Sequence, residues 1–447
     1  MPRRAGIRAL AASRRIALRL ALATFVVVVV AVVAEGGARI ALRAITGERA
    51  PVKVLDRAKH GVAAGDLAAA APQAGAAEQL TAESVPHPFL GYVMRPRPVD
   101  AAWLALHGYP INEFGFIDDK SPLQTRGPGR LVVAVTGGSV SVFLANDPAK
   151  TLERELAKLP ALAGREIVLV RLGLGGFKEP QQLATLSYLL ALGGQFDVVV
   201  NLDGFNELAL WPAENAPVHA FPAYPRGWPY QLDALASPER QRTFSAHTFL
   251  RETRSGFAEW MCGPRLDRSG LATLVWLAGD RFLEAQAATA LAAFREASAQ
   301  QPSSYAAIGP RTTFETEDAM LDALASLWER SSLQLHRLCT ANGIRYVHVL
   351  QPNQYDDGSK PLAPEEQGIA IDPASPYAES IRLGYPKLRA AGQRLRDAGV
   401  DFVDLSGLFR SVEAPLYRDR CCHLNAEGTR RLAQAVAARV GETVAGK

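Results

Sequence analysis

Cysteine is scarce in this chain, and its arrangement does not fit a structural metal site. Four cysteines occur among 447 residues; Cys421 and Cys422 are neighbours, while Cys262 and Cys339 each stand alone. A structural zinc site is usually built from two spaced pairs of ligands, so the sequence predicts no bound metal and no cofactor. Disulfides and buried thiols both remain open, although a bond between adjacent cysteines would be strained.

An excess of charge of one sign is also missing from most of the chain. The net charge is +4, from 49 Lys and Arg against 45 Asp and Glu. Much of the surplus lies in a cluster of arginines near the N-terminus: Arg3, Arg4, Arg8, Arg14, Arg15 and Arg19. Because the remainder is close to neutral, the composition gives no basis for nucleic-acid binding.

One apolar run, residues 20–34, carries no charge and directly follows the arginine cluster. Basic residues before such a run indicate a cytoplasmic N-terminus and export of the chain that follows. Residues 35–39 do not form a small-x-small cleavage site, so we expect an uncleaved transmembrane anchor over 16–38 behind a basic cytoplasmic tail, 1–15. This predicts a single-pass inner-membrane protein with its main domain in the periplasm. A cleaved signal peptide stays open, because the run is short for a full span.

The chain after the anchor divides into a linker and one large domain. Residues 39–85 are rich in alanine, with scattered charge and no clear apolar period, which is typical of a linker or stalk. The domain is expected over 86–447. It starts with two irregular segments, HPFLGY at 87–92 and NEFGF at 112–116.

From residue 130 onward, short apolar runs alternate with helical patterns. Continuous apolar runs indicate strands that are buried on both faces, and strands alternating with helices predict an α/β fold with a parallel sheet covered on both sides. The predicted strands are 131–135, 167–170, 198–202, 346–350 and 402–403, and the predicted helices are 148–159, 179–192, 378–398 and 426–440.

A long interval, residues 208–343, separates the third and fourth predicted strands. Ordinary crossover connections are far shorter. Its first part is rich in Trp, Pro and Tyr over 211–230, and the rest has helical patterns, as in 278–299 and 316–341. The sequence therefore predicts a helical insertion or lid beside the carboxyl edge of the sheet.

Four polar or glycine positions lie at the ends of these predicted elements. Ser139 follows two glycines after the first strand, Gly173 lies in a glycine-rich loop after the second, and Asn206 follows the third. His423 precedes the last helix. In a doubly wound sheet, ligands bind beyond the carboxyl ends of the strands, so we expect these four residues to meet at one edge.

Each of these features has an ordinary structural interpretation when taken alone. Gly-Gly-Ser is most often a turn or a helix cap, Gly-x-Asn is most often a turn, and a single histidine is most often structural. The glycine-rich loop lacks the distal glycine and the acidic ribose ligand of a dinucleotide site. Together, a serine, a histidine base and oxyanion donors make acyl transfer the natural reaction class.

The order of Ser139, Gly173, Asn206 and His423 resembles the four blocks of the SGNH/GDSL hydrolase superfamily. The resemblance spans residues 130–440 apart from the insertion, and the segments at 87–92 and 112–116 resemble its membrane-anchored bacterial members. It implies a flavodoxin-like three-layer αβα sandwich, ester substrates and no metal. It also implies that Ser139 is the nucleophile and His423 the base, with an oxyanion hole from the backbone N–H groups of Ser139 and Gly173 and the Asn206 side chain.

Two departures from the family pattern stand out. The first block usually reads Gly-Asp-Ser, whereas Gly138 precedes the serine here. The family's acid stands three positions before the histidine, where this chain has Arg420, while Asp419 stands four before. We expect a bulge to carry Asp419 to the ring of His423; a Ser–His dyad is the alternative, and Asp404 and Glu413 are the other candidate acids.

Three functions remain compatible with the sequence. The first is a serine esterase that removes acyl groups from an envelope glycan or a related ester, such as an acylated polysaccharide. The second is an O-acyltransferase that uses the same residues, with a sugar hydroxyl in place of water. The third is a non-catalytic envelope binding protein on a degenerate hydrolase fold, which the retention of all four blocks disfavours. The acyl length and the oligomeric state stay open.

Overall fold

The computed structural model describes residues 2–63, 84–99, 101–229, 232, 238–263, 266, 268–300 and 305–446. These residues form two compact units. One unit comes from Met1–Ala74 and Arg242–Arg295, and the other comes from Gly75–Gln241 and Glu296–Lys447. The candidate site residues all belong to the second unit.

The strands form a small hairpin and one larger sheet. They are β1 (Ser84–His87), β2 (Gly91–Met94), β3 (Arg130–Gly137), β4 (Glu166–Arg171), β5 (Val198–Asp203), β6 (Arg345–Leu350) and β7 (Asp401–Asp404). β1 and β2 pair antiparallel. The other five strands pair in the order β4-β3-β5-β6-β7, and every pair is parallel.

The α-helices follow in chain order. They are α1 (Pro2–Thr46), α2 (Pro51–Ala63), α3 (Ala101–His107), α4 (Ser139–Ala145), α5 (Thr151–Ala157), α6 (Gln181–Ala191), α7 (Phe205–Leu210), α8 (Pro238–Met261), α9 (Gly270–Gln300), α10 (Tyr305–Ile308), α11 (Glu317–Ala341), α12 (Pro364–Ala370), α13 (Ala378–Asp397) and α14 (Ala426–Ala445).

The sheet is covered by a helix layer on each face. α4, α5 and α14 pack together in one layer, and α6, α7, α11 and α13 pack together in the other. The central strands are buried along their length, as the continuous apolar run of residues 131–135 requires. The predicted α/β fold, a three-layer sandwich around a five-stranded parallel sheet, is therefore confirmed.

The interval between β5 and β6 contains elements of both units. A π-helical turn (Trp211–Asn215) and a 3₁₀ turn (Ala216–Val218) come first. Residues 242–295, which include most of α8 and α9, belong to the unit that also contains the N-terminus. α11 instead belongs to the sandwich, where it forms the crossover into β6 and packs against α13.

The unit with the N-terminus is built around four helices. Leu42 of α1 and Val62 of α2 share an apolar cluster with Ala258, Met261 and Trp276 of α8 and α9. The predicted linker, 39–85, is thus helical in part, since α1 extends to Thr46 and α2 follows it. Residues 64–83 of that linker lie outside the described residues.

The helix α1 contains an apolar stretch that is long enough to cross a membrane. The stretch Thr24–Thr46 has 23 residues and a mean hydropathy of 2.2. Its most apolar window is 11% buried. Glu35 lies within this stretch. Its carboxylate accepts hydrogen bonds from the Gly270 and Leu271 N–H groups at 2.6 and 3.0 Å and thereby caps α9. A signal sequence near the N-terminus can also meet this criterion of length and composition.

Candidate active site

Ser139 lies at the turn between β3 and α4. β3 ends at Gly137, whose φ is +137°, and a Cβ at that position would lie 2.0 Å from the Leu202 carbonyl oxygen on β5. Only glycine fits such a conformation and such a contact. Ser139 then begins α4, so its half-buried hydroxyl stands at the carboxyl edge of the sheet.

His423 contacts both Ser139 and Asp419. Its Nε2 is 2.7 Å from Ser139 Oγ, and its Nδ1 is 2.5 Å from Asp419 Oδ2. With Nδ1–H donated to the carboxylate, the Nε2 lone pair accepts the hydrogen bond from the serine hydroxyl. The three side chains form one hydrogen-bonded chain that ends on a hydroxyl.

A compact turn brings Asp419 to the ring. Its Oδ1 accepts hydrogen bonds from the backbone N–H groups of Cys421 (2.9 Å) and His423 (3.3 Å), and the Arg418 N–H donates to the His423 carbonyl at 3.0 Å. The carboxylate therefore folds its own loop back on itself, as aspartate does in Asx turns. This is the turn that the four-residue spacing requires.

The environment of this pair shifts both of its pKa values. Burial disfavours the imidazolium, but the hydrogen bond that Nδ1–H donates to Asp419 and the nearby negative charge outweigh it, so the pKa of His423 is raised. Burial would raise the pKa of Asp419, but the hydrogen bonds and charge of His423 and the N–H of Cys421 lower it. The aspartate is thus held ionised beside the ring.

The Gly173 and Asn206 blocks both approach the turn at Ser139. A Cβ on Gly173 would lie 2.2 Å from Ser141 Oγ in the first turn of α4. A Cβ on Gly138 would lie 2.1 Å from Asn206 Nδ2, which itself donates to the Phe177 carbonyl at 2.7 Å. The Gly138 that departs from the family pattern is therefore the residue that makes room for the Asn206 amide.

A buried glutamate joins the loop after β5 to the loop after β4. Glu207 Oε2 accepts from the Gly204 N–H at 2.8 Å, and its Oε1 accepts from the Glu179 N–H at 3.1 Å. Burial and the charge of Asp203 raise the pKa of Glu207 to about 8. Glu207 was not predicted from the sequence. Its position directly after Asn206 was the only sequence feature that pointed to a role near the site.

Two further side chains surround the imidazole. The Phe143 ring stands edge-on to the His423 ring with 5.0 Å between the ring centroids. The Arg418 guanidinium lies over the Phe143 ring, 4.0 Å from its centroid. Neither was predicted from the sequence, because Phe143 reads as an ordinary apolar residue of α4.

A second Ser–His–Asp arrangement lies inside the fold. His348 Nδ1 is 2.7 Å from Ser332 Oγ, and its Nε2 is 2.9 Å from Asp203 Oδ1. All three are buried, with His348 and Ser332 both 0% exposed. No ester can reach this serine, so the arrangement satisfies buried polar groups instead of performing chemistry.

The four cysteines are all thiols, and two of them adjoin the histidine. Cys339 is buried in the core and Cys262 lies in the other unit. The Sγ atoms of Cys421 and Cys422 are 3.5 Å apart. Contact with Cys422 lowers the pKa of Cys421, whereas burial raises the pKa of Cys422.

The structure brings together all of the residues that the sequence singled out for one edge. Ser139, His423 and Asp419 are in direct contact, and the loops of Gly173 and Asn206 pack against the same turn. The other candidate acids serve elsewhere: Asp404 accepts from the Ser406 N–H at 2.9 Å, and Glu413 is exposed.

Comparisons with known proteins give distant similarities to several solved structures. No family model matches the chain, and no curated protein matches it. It is similar to a Bacteroides fragilis protein described as a candidate acylhydrolase, with a TM-score of 0.34 and 11% identity over 72% of this chain and 92% of that one. It is also similar to an acetyl xylan esterase, with a TM-score of 0.34 and 15% identity over 69% of this chain and 100% of that one. Values this low do not establish a shared family.

Proposed function

We propose that this chain is a serine ester hydrolase of the SGNH/GDSL type. The observation that carries the proposal is the chain of hydrogen bonds from Asp419 through His423 to Ser139, with distances of 2.5 and 2.7 Å. It ends on a serine at the carboxyl edge of a parallel sheet, where ligands of such folds bind. The buried Ser332–His348–Asp203 chain offers no comparable access.

In the first step, the Ser139 hydroxyl attacks the acyl carbon of an ester. His423 Nε2 takes the hydroxyl proton, and the Asp419 carboxylate stabilises the imidazolium that forms. The imidazolium then gives this proton to the departing alkoxide, which leaves as an alcohol. Water, deprotonated by the same nitrogen, releases the acyl group from Ser139.

The oxyanion formed at the acyl oxygen needs donors that are already in position. The Ser139 N–H lies at the first position of α4, where it has no partner within the helix. Asn206 Nδ2 has two hydrogens, and only one is donated to Phe177. We assign the other hydrogen, together with the Gly173 N–H, to the oxyanion.

We further propose an acylated envelope glycan as the substrate and the periplasm as its place. The N-terminal arginines and the apolar stretch of α1 support an anchor with the sandwich on the exported side. No cofactor takes part in the proposed steps, since serine, histidine and aspartate supply the nucleophile, the base and the charge.

The proposal is tested by following p-nitrophenyl acetate hydrolysis with the full chain in detergent. We expect turnover by the wild type, none by Ser139→Ala or His423→Ala, and near wild-type turnover by Ser332→Ala if that variant folds. Adding a glycan acceptor, acetylated or free, separates the two reactions: hydrolysis releases acetate, whereas acyl transfer moves the acetyl group onto the glycan. Full activity in Ser139→Ala would refute the assignment.

A further inference from the structure

Three soft or intermediate ligand atoms meet beside the candidate nucleophile. The Sγ atoms of Cys421 and Cys422 and one imidazole nitrogen of His423 all lie within 4.8 Å of one another. The two sulfur atoms are 3.5 Å apart. Both cysteines and the histidine sit in the loop before α14, so three consecutive residues supply the set.

These separations suit a tetrahedral metal ion. Zn²⁺ binds thiolate sulfur at about 2.3 Å and imidazole nitrogen at about 2.0–2.1 Å. A tetrahedral angle between such bonds puts two sulfur ligands roughly 3.8 Å apart and a sulfur and a nitrogen roughly 3.6 Å apart. The two sulfur atoms of this loop already have nearly that spacing, and the imidazole nitrogen lies within 4.8 Å of both.

The loop offers a fourth ligand as well. Asp419 Oδ2 lies 2.5 Å from His423 Nδ1, and Ser139 Oγ lies 2.7 Å from Nε2. Each ring nitrogen therefore has a hydrogen-bonded oxygen beside it of a type that binds zinc, either a carboxylate or a hydroxyl. Whichever nitrogen takes the metal, an oxygen donor is at hand to fill the remaining position.

We propose that Cys421, Cys422 and His423 form a site for a thiophilic divalent cation such as Zn²⁺, and that binding there switches the active site off. This goes beyond the proposed esterase function, because the metal is an inhibitor and takes no part in turnover. The cysteine spacing does not fit a structural zinc site made of two spaced pairs; a pair of adjacent thiols next to His423 is a different kind of site.

The inhibition follows because the His423 imidazole is both the proposed base and a proposed metal ligand. Binding converts two thiols to thiolates and releases two protons, while the neutral imidazole donates a lone pair to the metal. If Nε2 binds the metal, Ser139 loses its base. If Nδ1 binds it, Asp419 loses its contact and the ring loses the tautomer that accepts the serine proton. Either way, hydrolysis stops.

The site is tested first by a readout that does not depend on activity. The full chain in detergent is reduced, freed of reductant and titrated with Co²⁺, which reports bound thiolates through a near-ultraviolet charge-transfer band. We expect the band to saturate at one equivalent, to be displaced by Zn²⁺, and to be lost in Cys421→Ser and in Cys422→Ser. Cys262→Ser, in the other unit, is the matched control and should keep it.

Wild-type protein gives a check that needs no variant. Phenylarsine oxide condenses with two neighbouring thiols and releases one water, so pretreatment should abolish the cobalt band. In the p-nitrophenyl acetate assay, Zn²⁺ should then inhibit in proportion to the fraction bound, and EDTA should restore the rate. Each variant is compared with its own metal-free rate.

The outcomes separate this proposal from the esterase assignment. A cobalt band that depends on both cysteines, in a chain that hydrolyses no ester, would uphold the metal site and reject the esterase. Hydrolysis that Zn²⁺ leaves unchanged, with no thiolate band at one equivalent, would overturn the metal site alone. A band that survives in both Cys421→Ser and Cys422→Ser would also overturn it.

Discussion

At the scale of single residues, the proposed mechanism depends most on Asp419. Its Oδ1 holds the loop through two backbone N–H groups while its Oδ2 holds the ring of His423. One carboxylate thus shapes the turn and orients the base. The four-residue spacing, which departs from the family pattern, is accommodated because the intervening residues bend around this carboxylate.

The pH profile tests that role. In the proposed mechanism neutral His423 is the base, so kcat/KM should rise with pH through its pKa, which the hydrogen bond to Asp419 holds above the ordinary 6.5. Asp419→Asn removes the charge that raises this pKa, so we expect the acidic limb to move to lower pH. We also expect kcat to fall toward the roughly 10⁴-fold loss known for such a change.

The matched control is Asp404→Asn. Asp404 accepts a hydrogen bond from the Ser406 N–H, which an asparagine oxygen can also do, so kcat should change at most a few-fold. A few-fold loss in Asp419→Asn, with no shift of the acidic limb, would mean that Ser139 and His423 act as a dyad.

Gly138 provides a second test at the residue scale. A Cβ there would lie 2.1 Å from Asn206 Nδ2, so Gly138→Ala must displace the amide. We expect kcat to fall by roughly 10²–10³, as on removal of an oxyanion donor, with a smaller effect on KM. The double variant with Asn206→Ala should lose little more than Asn206→Ala alone, because both changes remove the same donor.

Gly175→Ala is the control for this test. Gly175 is exposed, and a Cβ there would meet no atom within 4 Å. Its kcat should equal that of the wild type. Independent, additive losses for Gly138→Ala and Asn206→Ala would show that Asn206 is not the group that Gly138 accommodates.

At the scale of elements, the loops after β4 and β5 are joined by Glu207. Both carboxylate oxygens of Glu207 accept backbone N–H groups, whereas glutamine has only one side-chain acceptor oxygen. We therefore expect Glu207→Ala to lower the unfolding midpoint and kcat, and Glu207→Gln to restore only part of each.

Enzyme kinetics gives kcat and thermal unfolding gives the midpoint for both Glu207→Ala and Glu207→Gln. Glu365→Ala, on the exposed side of α12, is the control and should leave both quantities unchanged. If Glu207→Ala unfolded at a lower temperature but kept kcat, Glu207 would stabilise the core without positioning the Asn206 loop.

The elements also show how far the sequence could predict the fold. The strands were predicted within a few residues because both of their faces are buried, which leaves continuous apolar runs. The parallel arrangement then placed Ser139, Gly173 and Asn206 at one edge. The sequence spacing alone could not decide between Asp419 as the third residue and a Ser–His dyad. The turn that brings Asp419 to His423 depends on hydrogen bonds between the Asp419 carboxylate and backbone N–H groups of the same loop.

Other parts of the site could not be predicted from the pattern. Glu207 is a buried carboxylate, and hydrophobic periodicity gives no signal for a polar group that is satisfied inside the core. The contact between Cys421 and Cys422 depends on side-chain rotamers, which adjacency alone does not fix. The same limit applies to Phe143, whose edge meets His423 only in the folded sandwich.

At the scale of the whole molecule, the proposed location depends on the N-terminal helix α1. Side chains from Thr24 to Val33 on α1 are exposed, including Val27 at 66% and Val33 at 68%. A row of exposed valines is unfavourable in water and favourable in lipid. This fits a segment that lies in lipid, as an uncleaved anchor or as a signal sequence.

Fractionation distinguishes the two. We expect the intact chain in the inner membrane, and protease added to spheroplasts should degrade the sandwich. The N-terminal sequence of the mature protein is the decisive measurement. A soluble form that begins near residue 35 would contradict the anchor, and protection from protease in spheroplasts but not in lysed cells would contradict the periplasmic orientation.

The central claim, that Ser139 is a nucleophile activated by His423, is tested most directly by covalent labelling. Full-length protein is treated with a fluorophosphonate, and the modified peptide is identified by mass spectrometry. We predict one adduct, on Ser139, that is lost in His423→Ala and in protein treated at a pH well below the pKa of the histidine. Absence of an adduct in the folded wild type, or an adduct on a different serine, would contradict the account.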